Sequence, residues 1–300
     1  MIMLKVMEKR RSVREYKNKA LDKKQVMDIV NSYDYNKALV EGVKFDFIYF
    51  EDGDNIYQIL NGVVGYSGVL IKAPQYAVLL SDEKPGYLYN SGYVGEWISL
   101  KFAREDIGSC WIEVGDKDKE VKEILGITSK KRIIGLMALG YPKMDVRLSK
   151  IYDTIVDGHI SPYEELGYPN IDTEFSKEPV SYRHSVEDIV YKNEFGNKMT
   201  FEEIEKSGYL DALYYMRLAP SWGNRQPWKF IIRKDGIILL IEKSTESESE
   251  MTAQIEAGIA MLYFKVAMHD LGLPGDWKNI NGETDIDVPK NYFYGGIYSL

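Results

Sequence analysis

The stretch that decides the fold reads Ala219-Pro220-Ser221-Trp222-Gly223-Asn224-Arg225-Gln226-Pro227-Trp228. Two prolines and a glycine in ten residues end a helix and force an irregular crossing into the next element. That element is apolar, and Phe230 to Ile232 reads as a strand. Ser221, Asn224 and Gln226 put short polar groups and backbone amides on a rigid crossing, which suits reading the edge of a planar ligand. The plainer alternative is a helix-to-strand turn that Asn224 and Ser221 merely cap. A turn, however, does not require this many specific residues together.

The same order of elements occurs earlier in the chain. Asp22 to Tyr33 places Val26, Ile29 and Val30 at helical spacing behind an acidic first position, and Phe45 to Phe50 reads as a strand. Sliding the second half back by 183 positions pairs Asp28 with Asp211, Val30 with Leu213, Phe45 with Trp228, Phe47 with Phe230 and Ile48 with Ile231. A second offset, 164, pairs Leu100 to Ala103 with Phe264 to Ala267, and Asp106-Ile107-Gly108 with Asp270-Leu271-Gly272. The difference, 183 minus 164, predicts 19 residues missing from the second half between these blocks. Helix period alone produces some such matches, but agreement in both pattern and order favours an internal duplication.

Between these blocks, Lys72 to Leu80 is an apolar run without helical period and suits a buried strand. Helical spacing returns over residues 92–107 through Trp97, Leu100 and Ala103, with Gly108 at a C-cap position. Ile133 to Leu139 reads as another buried strand, closed by the turn Gly140-Tyr141-Pro142. The order helix, strand, strand, helix, strand favours an α+β or mixed α/β fold over a doubly wound parallel one. Val156 to Ser185 is polar and turn-rich, with Gly158, Pro162, Gly167, Pro169 and Pro179. The expected organisation is therefore one half over residues 1–160, a connector over 161–185 and a shorter half over 186–300.

The bulk numbers exclude several classes. A formal charge of -8 over 300 residues argues against a sequence-independent nucleic-acid binder, which needs a basic stripe to neutralise phosphates. Cys110 is the single cysteine, so neither an intrachain disulfide nor a cysteine-based zinc site can form. Met1 to Met7 is too short and too quickly followed by charge to be a secretory signal, and no other stretch has the apolar length of a membrane span. A cytoplasmic setting is expected. His159, His184 and His269 lack metal-ligand spacing, and Glu242 to Glu250 reads as a solvated acidic loop.

Arg10-Arg11-Ser12-Val13-Arg14 precedes the first long helix. Guanidinium forks match phosphate oxygens two at a time, although basic residues near a terminus are ordinarily just solvated. Gly108 to Glu113 is by itself an ordinary helix ending followed by small and apolar residues.

Together, Arg10 to Arg14, Gly108 to Trp111, Gly140 to Pro142 and Ala219 to Trp228 resemble the motifs of the nitroreductase family of FMN-dependent oxidoreductases. The chain looks like the subfamily of TM nitroreductases that contains the fused, single-chain form. The resemblance implies an α+β nitroreductase-like fold in which two tandem halves form an intramolecular pseudo-dimer. In the ordinary family the first and last of these motifs lie about twenty residues apart, and two subunits share each FMN; here they lie some two hundred apart. One site would then combine Arg10, Arg11, Ser12 and Arg14 with Pro220, Ser221, Asn224 and Gln226.

The resemblance further implies that Arg10, Ser12 and Arg14 hold the phosphate and pyrimidine side, with Arg147 or Lys150 adding charge. Trp111, Ile112 and Glu113 would lie against the ring near N5. At the 183 offset the counterparts of Arg10, Arg11, Ser12 and Arg14 are Asn193, Glu194, Phe195 and Asn197, and those of the polar loop are Lys37, Ala38, Glu41 and Val43. One FMN per chain is expected, in a monomer acting as a pseudo-dimer. NADH or NADPH would be the donor, alternating in ping-pong fashion with a nitroaromatic, quinone or other small acceptor. The absence of a Gly-x-Gly-x-x-Gly stretch argues against a separate nicotinamide-binding domain. The alternatives are a flavin-binding carrier or sensor without turnover, and an interaction module with no cofactor.

Overall fold

The computed structural model describes residues 2–34, 38–65, 68–143, 183–243 and 250–300. Arg147, Lys150, Lys37, most of the proposed connector and residues 244–249 of the acidic run lie outside them.

The first half contains α1 (Ile2–Lys9), α2 (Lys23–Asn31), β1 (Phe45–Phe50), α3 (Gly53–Leu60), β2 (Gln75–Ser81), α4 (Tyr87–Arg104), β3 (Gly108–Ile112), α5 (Asp118–Leu125) and β4 (Arg132–Gly140). Then come α6 (Val186–Ile189), β5 (Val190–Lys192), α7 (Phe201–Lys206), α8 (Leu210–Met216), a 3₁₀ turn (Trp222–Asn224), β6 (Trp228–Arg233), β7 (Gly236–Glu242), α9 (Glu250–Asp270), β8 (Asp276–Lys278) and β9 (Tyr292–Ser299). Local chemistry accounts for many boundaries. Asp22 caps α2, accepting from the Lys24 amide, and Thr200 with Glu203 closes a capping box on α7. β2 is buried along its whole length, as its unbroken apolar run requires.

Two mixed-order sheets result, β1-β2-β4-β3 and β5-β6-β7-β9-β8. All neighbours are antiparallel except β5 with β6. The second sheet repeats the first with one strand added at its edge. β1 and β6 pair with β2 and β7 through Ile48 to Val78 and Ile231 to Ile238, which preserves the 183 offset. Both sheets carry a bulge at the same place, between Leu79 and Leu80 and between Leu239 and Leu240.

The helices α4 and α9 pack on each other between the sheets and form the most extensive helix contact in the molecule. Both are buried nearly all round, so one hydrophobic core runs through the two halves. At their crossing, a Cβ on Gly92 would strike the Ile255 carbonyl, and one on Gly258 would strike the Tyr89 carbonyl. The reciprocal partners, Gly92 with Gly258 and Tyr89 with Ile255, both lie 166 positions apart.

The offset for this block is therefore 166, not 164. Helix endings agree: Ile107 bonds back to Phe102 and Leu273 to Met268, with left-handed Asp106 and Gly272 before them. Trp111 and Trp277 obey the same offset, facing Met137 and Tyr298. The second half thus lacks a net 17 residues, 183 minus 166, rather than 19. Where the first half has α3 and its loops, the second has the two-residue turn Lys234-Asp235.

Gly108 is not a helix cap. Glu105 caps α4, Asp106 takes the left-handed position (φ 59°), and Gly108 begins β3. Its missing side chain makes room for Val13, which a Cβ would meet at 2.8 Å.

Candidate functional site

The crossing from α8 to β6 is strained and tied down. Gly223, Asn224 and Gln226 all have left-handed backbones, with φ of 57°, 55° and 54°. Glutamine seldom adopts this region, which costs about 1–3 kcal/mol and persists only where surroundings fix it. Here the Gln226 amide donates to Ser221 Oγ at 2.9 Å, and its side-chain Nε2 donates to the Asn224 carbonyl at 3.2 Å. Its Oε1 accepts from the His184 amide at 3.0 Å. Ser221 and Gln226 therefore build the loop, and His184 is a structural residue.

Asn224 faces a cation. Arg183 donates to Asn224 Oδ1 through one guanidinium nitrogen and to the Leu218 carbonyl at 3.3 Å through another. Among the described residues no carboxylate pairs with Arg183. Burial, reinforced by repulsion from Arg10 and Arg217, pulls its pKa down to about 10 against a weaker pull upward from Tyr263. A half-buried guanidinium in that company is a site that an anion would complete.

Arg10 is differently placed. Its side chain is 3% exposed and forks onto Glu96, which is fully buried, with Nε 2.7 Å from Oε1 and a terminal nitrogen 3.0 Å from Oε2. Burial works against the charge on Arg10, but Glu96 and Tyr263 outweigh it and hold its pKa up. Arg11, Ser12 and Arg14 are half-exposed. Ser12 bridges Ser109 of β3, and the Val13 amide donates to the Ser109 carbonyl at 3.0 Å. The arginine segment thus lies along the edge of the first sheet.

One stripe of α9 gathers the three motif segments. Thr252 Oγ1 donates to Glu113 Oε1 at 2.7 Å, tying the end of β3 to the second half. Glu256, four residues on and so on the same helix face, accepts from the Trp222 amide of the crossing. Tyr263, two further turns along, donates to Glu96 Oε1 at 3.3 Å and so reaches Arg10. Beside Glu113 a cavity of about 470 Å³ opens, lined by Gly62 to Gly65, Gly68 and Glu113 to Lys117.

The other side of the pseudo-twofold has no such stripe. At the 166 offset, Thr252, Glu256 and Tyr263 correspond to Gly86, Asn90 and Trp97, and Glu96 corresponds to Leu262. The counterpart of the polar crossing is nonetheless recognisable: Asn90 Oδ1 accepts from the Val40 amide at 3.2 Å, as Glu256 does from Trp222. Ala38, Glu41 and Val43 occupy that loop.

The equivalence drawn for the arginine segment does not survive. Asn193 to Asn197 form a turn that follows β5, the edge strand opposite β8, with Phe195 packed at a tilt between Tyr191 and Tyr292. Sequence reasoning also missed Arg183, Glu96 and the α9 stripe. A signal existed for two of them: Tyr93, Glu96 and Leu100 share one helix face, as do Thr252, Glu256 and Tyr263. None existed for Arg183.

Among the described residues, no group of His, Cys, Asp and Glu is arranged to hold a metal. No helix among them is long and apolar enough to cross a membrane.

The model of a family described as "Putative TM nitroreductase" matches residues 2–268. No curated protein matches. Among solved structures, a "putative nitroreductase" from Thermotoga maritima is 14% identical with a TM-score of 0.55, covering 99% of this chain and 94% of that one. An FMN-dependent nitroreductase from Clostridium difficile is 21% identical with a TM-score of 0.40, covering 49% of this chain and 90% of its own. A "Putative NADH Oxidase" from Clostridium acetobutylicum is 25% identical with a TM-score of 0.40, covering 48% of this chain and 96% of its own.

Proposed function

Because the chain belongs to the family described as "Putative TM nitroreductase", we propose that it is a flavin oxidoreductase holding one FMN per chain. The observation that carries this reading is Arg183: a half-buried guanidinium with no carboxylate on it among the described residues, bonded to Asn224 and close enough to Arg10 to feel its charge. The donor set fits a phosphate monoester. Arg183 would grip it, with Arg11 and Arg14 supplying further charge, and would take the part that sequence assigned to Arg147 or Lys150. Arg10 is committed to Glu96, so its part is to fix the segment carrying Ser12 and Arg14 rather than to hold phosphate alone. Trp111, Ile112 and Glu113 would border one side of the ring, and Pro220, Ser221, Asn224 and Gln226 the other.

When bound, FMN supplies acceptance and release of a hydride. The chain's own residues bind and orient. The left-handed crossing is preset by Ser221, Gln226 and His184, so little ordering remains to be done on binding. Thr252 and Glu256 hold Glu113 and Trp222 at a fixed separation along α9. One site per chain is favoured because Gly86, Trp97 and Leu262 stand where Thr252, Tyr263 and Glu96 would have counterparts on the opposite side, and a neutral Asn90 stands in place of Glu256. We propose the two halves as residues 1–160 and 186–300, with 161–185 between them, acting as a monomeric pseudo-dimer. The donor in this reading is NADH or NADPH, and the acceptor a nitroaromatic, quinone or other small molecule taken in turn.

The test is an absorbance spectrum of purified protein with flavin stoichiometry, followed by anaerobic NADH and NADPH titration. One FMN per chain, bleached by either nucleotide and restored by a nitroaromatic or quinone, is expected. Two FMN per chain refutes the one-sided site, none refutes the cofactor, and FMN that neither nucleotide bleaches refutes the oxidoreductase reading in favour of a carrier.

A further inference from the structure

We propose that Glu96 is a positioning residue that sets both the aim and the net charge of the Arg10 side of the site. The inference rests on the flavin reading above but concerns a residue one layer behind any ligand. Glu96 lies mid-way along α4, fully buried, on the face it shares with Tyr93 and Leu100. Its two oxygens accept three hydrogen bonds, from a terminal nitrogen of Arg10 at 3.0 Å, the Trp111 indole at 2.8 Å and the Tyr263 hydroxyl at 3.3 Å, and Oε1 also pairs with Arg10 Nε at 2.7 Å. Three separate chain segments besides α4 therefore meet on one carboxylate.

Each arm has a geometric reason to stay put. The Trp111 ring lies so close over Gly95 that a Cβ there would stand 2.6 Å from its Cζ2, so the indole has one resting place with its N–H on Glu96. Arg10 Nε also reaches Ser99 Oγ at 3.3 Å, and Ser99 in turn bonds Ser109 Oγ at 2.7 Å, fastening the cluster to β3. A buried carboxylate is tolerated only with its lone pairs satisfied and a counter-charge in contact; both conditions are met here. The offset of 166 puts Leu262 at the equivalent place, so this device exists on one side only.

The cluster acts in two ways. Without Glu96, Arg10 loses its charged partner and the Trp111 indole loses the acceptor of its N–H, and both flank the candidate site. The carboxylate also cancels the charge of Arg10, which leaves Arg183, with the half-exposed Arg11 and Arg14, as the cations that an anion meets. A positive charge near a flavin favours its electron-rich reduced form, so the Arg10–Glu96 pair would hold the reduction potential lower than Arg10 alone.

Glu96→Gln keeps shape and removes charge. In FMN-loaded protein it should shift the reduction potential upward, while the double variant Arg10→Gln/Glu96→Gln should return close to the wild-type value. If Glu96→Gln alone does not fold, the double variant Arg10→Gln/Glu96→Gln is compared with wild type: equal potentials support a cancelled charge, and a lower potential in the double variant overturns it. In apo protein, Glu96→Gln should shift tryptophan emission to the blue, because an anion at the indole N–H stabilises the excited ring; the shift should vanish in a Trp111→Phe background. Unchanged potentials across this series overturn the charge role, and unchanged emission overturns the positioning role. Should wild-type protein take up no FMN, the flavin reading fails by itself, and the emission experiment still decides whether Glu96 fixes Trp111.

Discussion

Replacing Arg183 by Gln removes a guanidinium charge and keeps an amide able to donate to Asn224. The structure sets the magnitude. Burial and two like charges hold the Arg183 pKa at about 10, which corresponds to roughly 3 kcal/mol against the charged form. Because the group is half-buried, solvent screening reduces what a bound anion can recover. About 1.5–3 kcal/mol remains, the range of a hydrogen bond to a charged group, or roughly a 10- to 100-fold change in affinity. Apo wild type and Arg183→Gln are titrated with FMN and with riboflavin by flavin fluorescence quenching at one fixed ionic strength. FMN should bind roughly 10- to 100-fold more weakly to the variant, and riboflavin within about twofold of wild type. Equal weakening of both ligands would mean that Arg183 only shapes the loop through Asn224. Loss of neither would remove it from the site altogether.

Three further outcomes rest on the same geometry. Gly92→Ala and Gly258→Ala each drive a methyl into a carbonyl of the facing helix, so each should lower stability by about 1–3 kcal/mol; thermal unfolding reads this, and an unchanged melting temperature in both refutes the close crossing. Gln226→Ala deletes the side-chain bonds to His184 and Asn224 and should cost about 1–3 kcal/mol, with faster amide exchange at His184 as the local signature. Ser185 donates to Asp188 and is the main cause that holds its carboxyl below the usual range. That contribution is present at neutral pH and lost as pH falls through the depressed value. Ser185→Ala should therefore move the Asp188 midpoint up in an NMR titration; a midpoint that stays put would show the hydroxyl to be irrelevant.

Local periodicity explains what was legible early. α2 with its Asp22 cap, β1, β2 and β4 all emerge from spacing and apolar runs, since each element's pattern is set by residues a few positions away. The helix offset came out two residues wrong for an equally physical reason. α4 and α9 are buried nearly all round, so their apolar pattern has no polar phase to lock an alignment. Only the glycine crossing and the matched helix endings fix 166. The Gly108 reading failed because a glycine after a helix has two uses, and this one admits Val13.

The sequence alone determined the family, the duplication at 183 positions and the polar crossing from Pro220 to Trp228, whose prolines and glycine leave the backbone few choices. Tertiary structure decided which groups are still available for a ligand. Arg10 became an internal partner of Glu96, Ser221 and Gln226 became supports of their own loop, and Arg183, which no motif marks, became the cation beside Asn224. A motif records which side chains are present, whereas the charge each retains depends on burial and on neighbours brought from distant segments. That information first exists when α9 crosses α4.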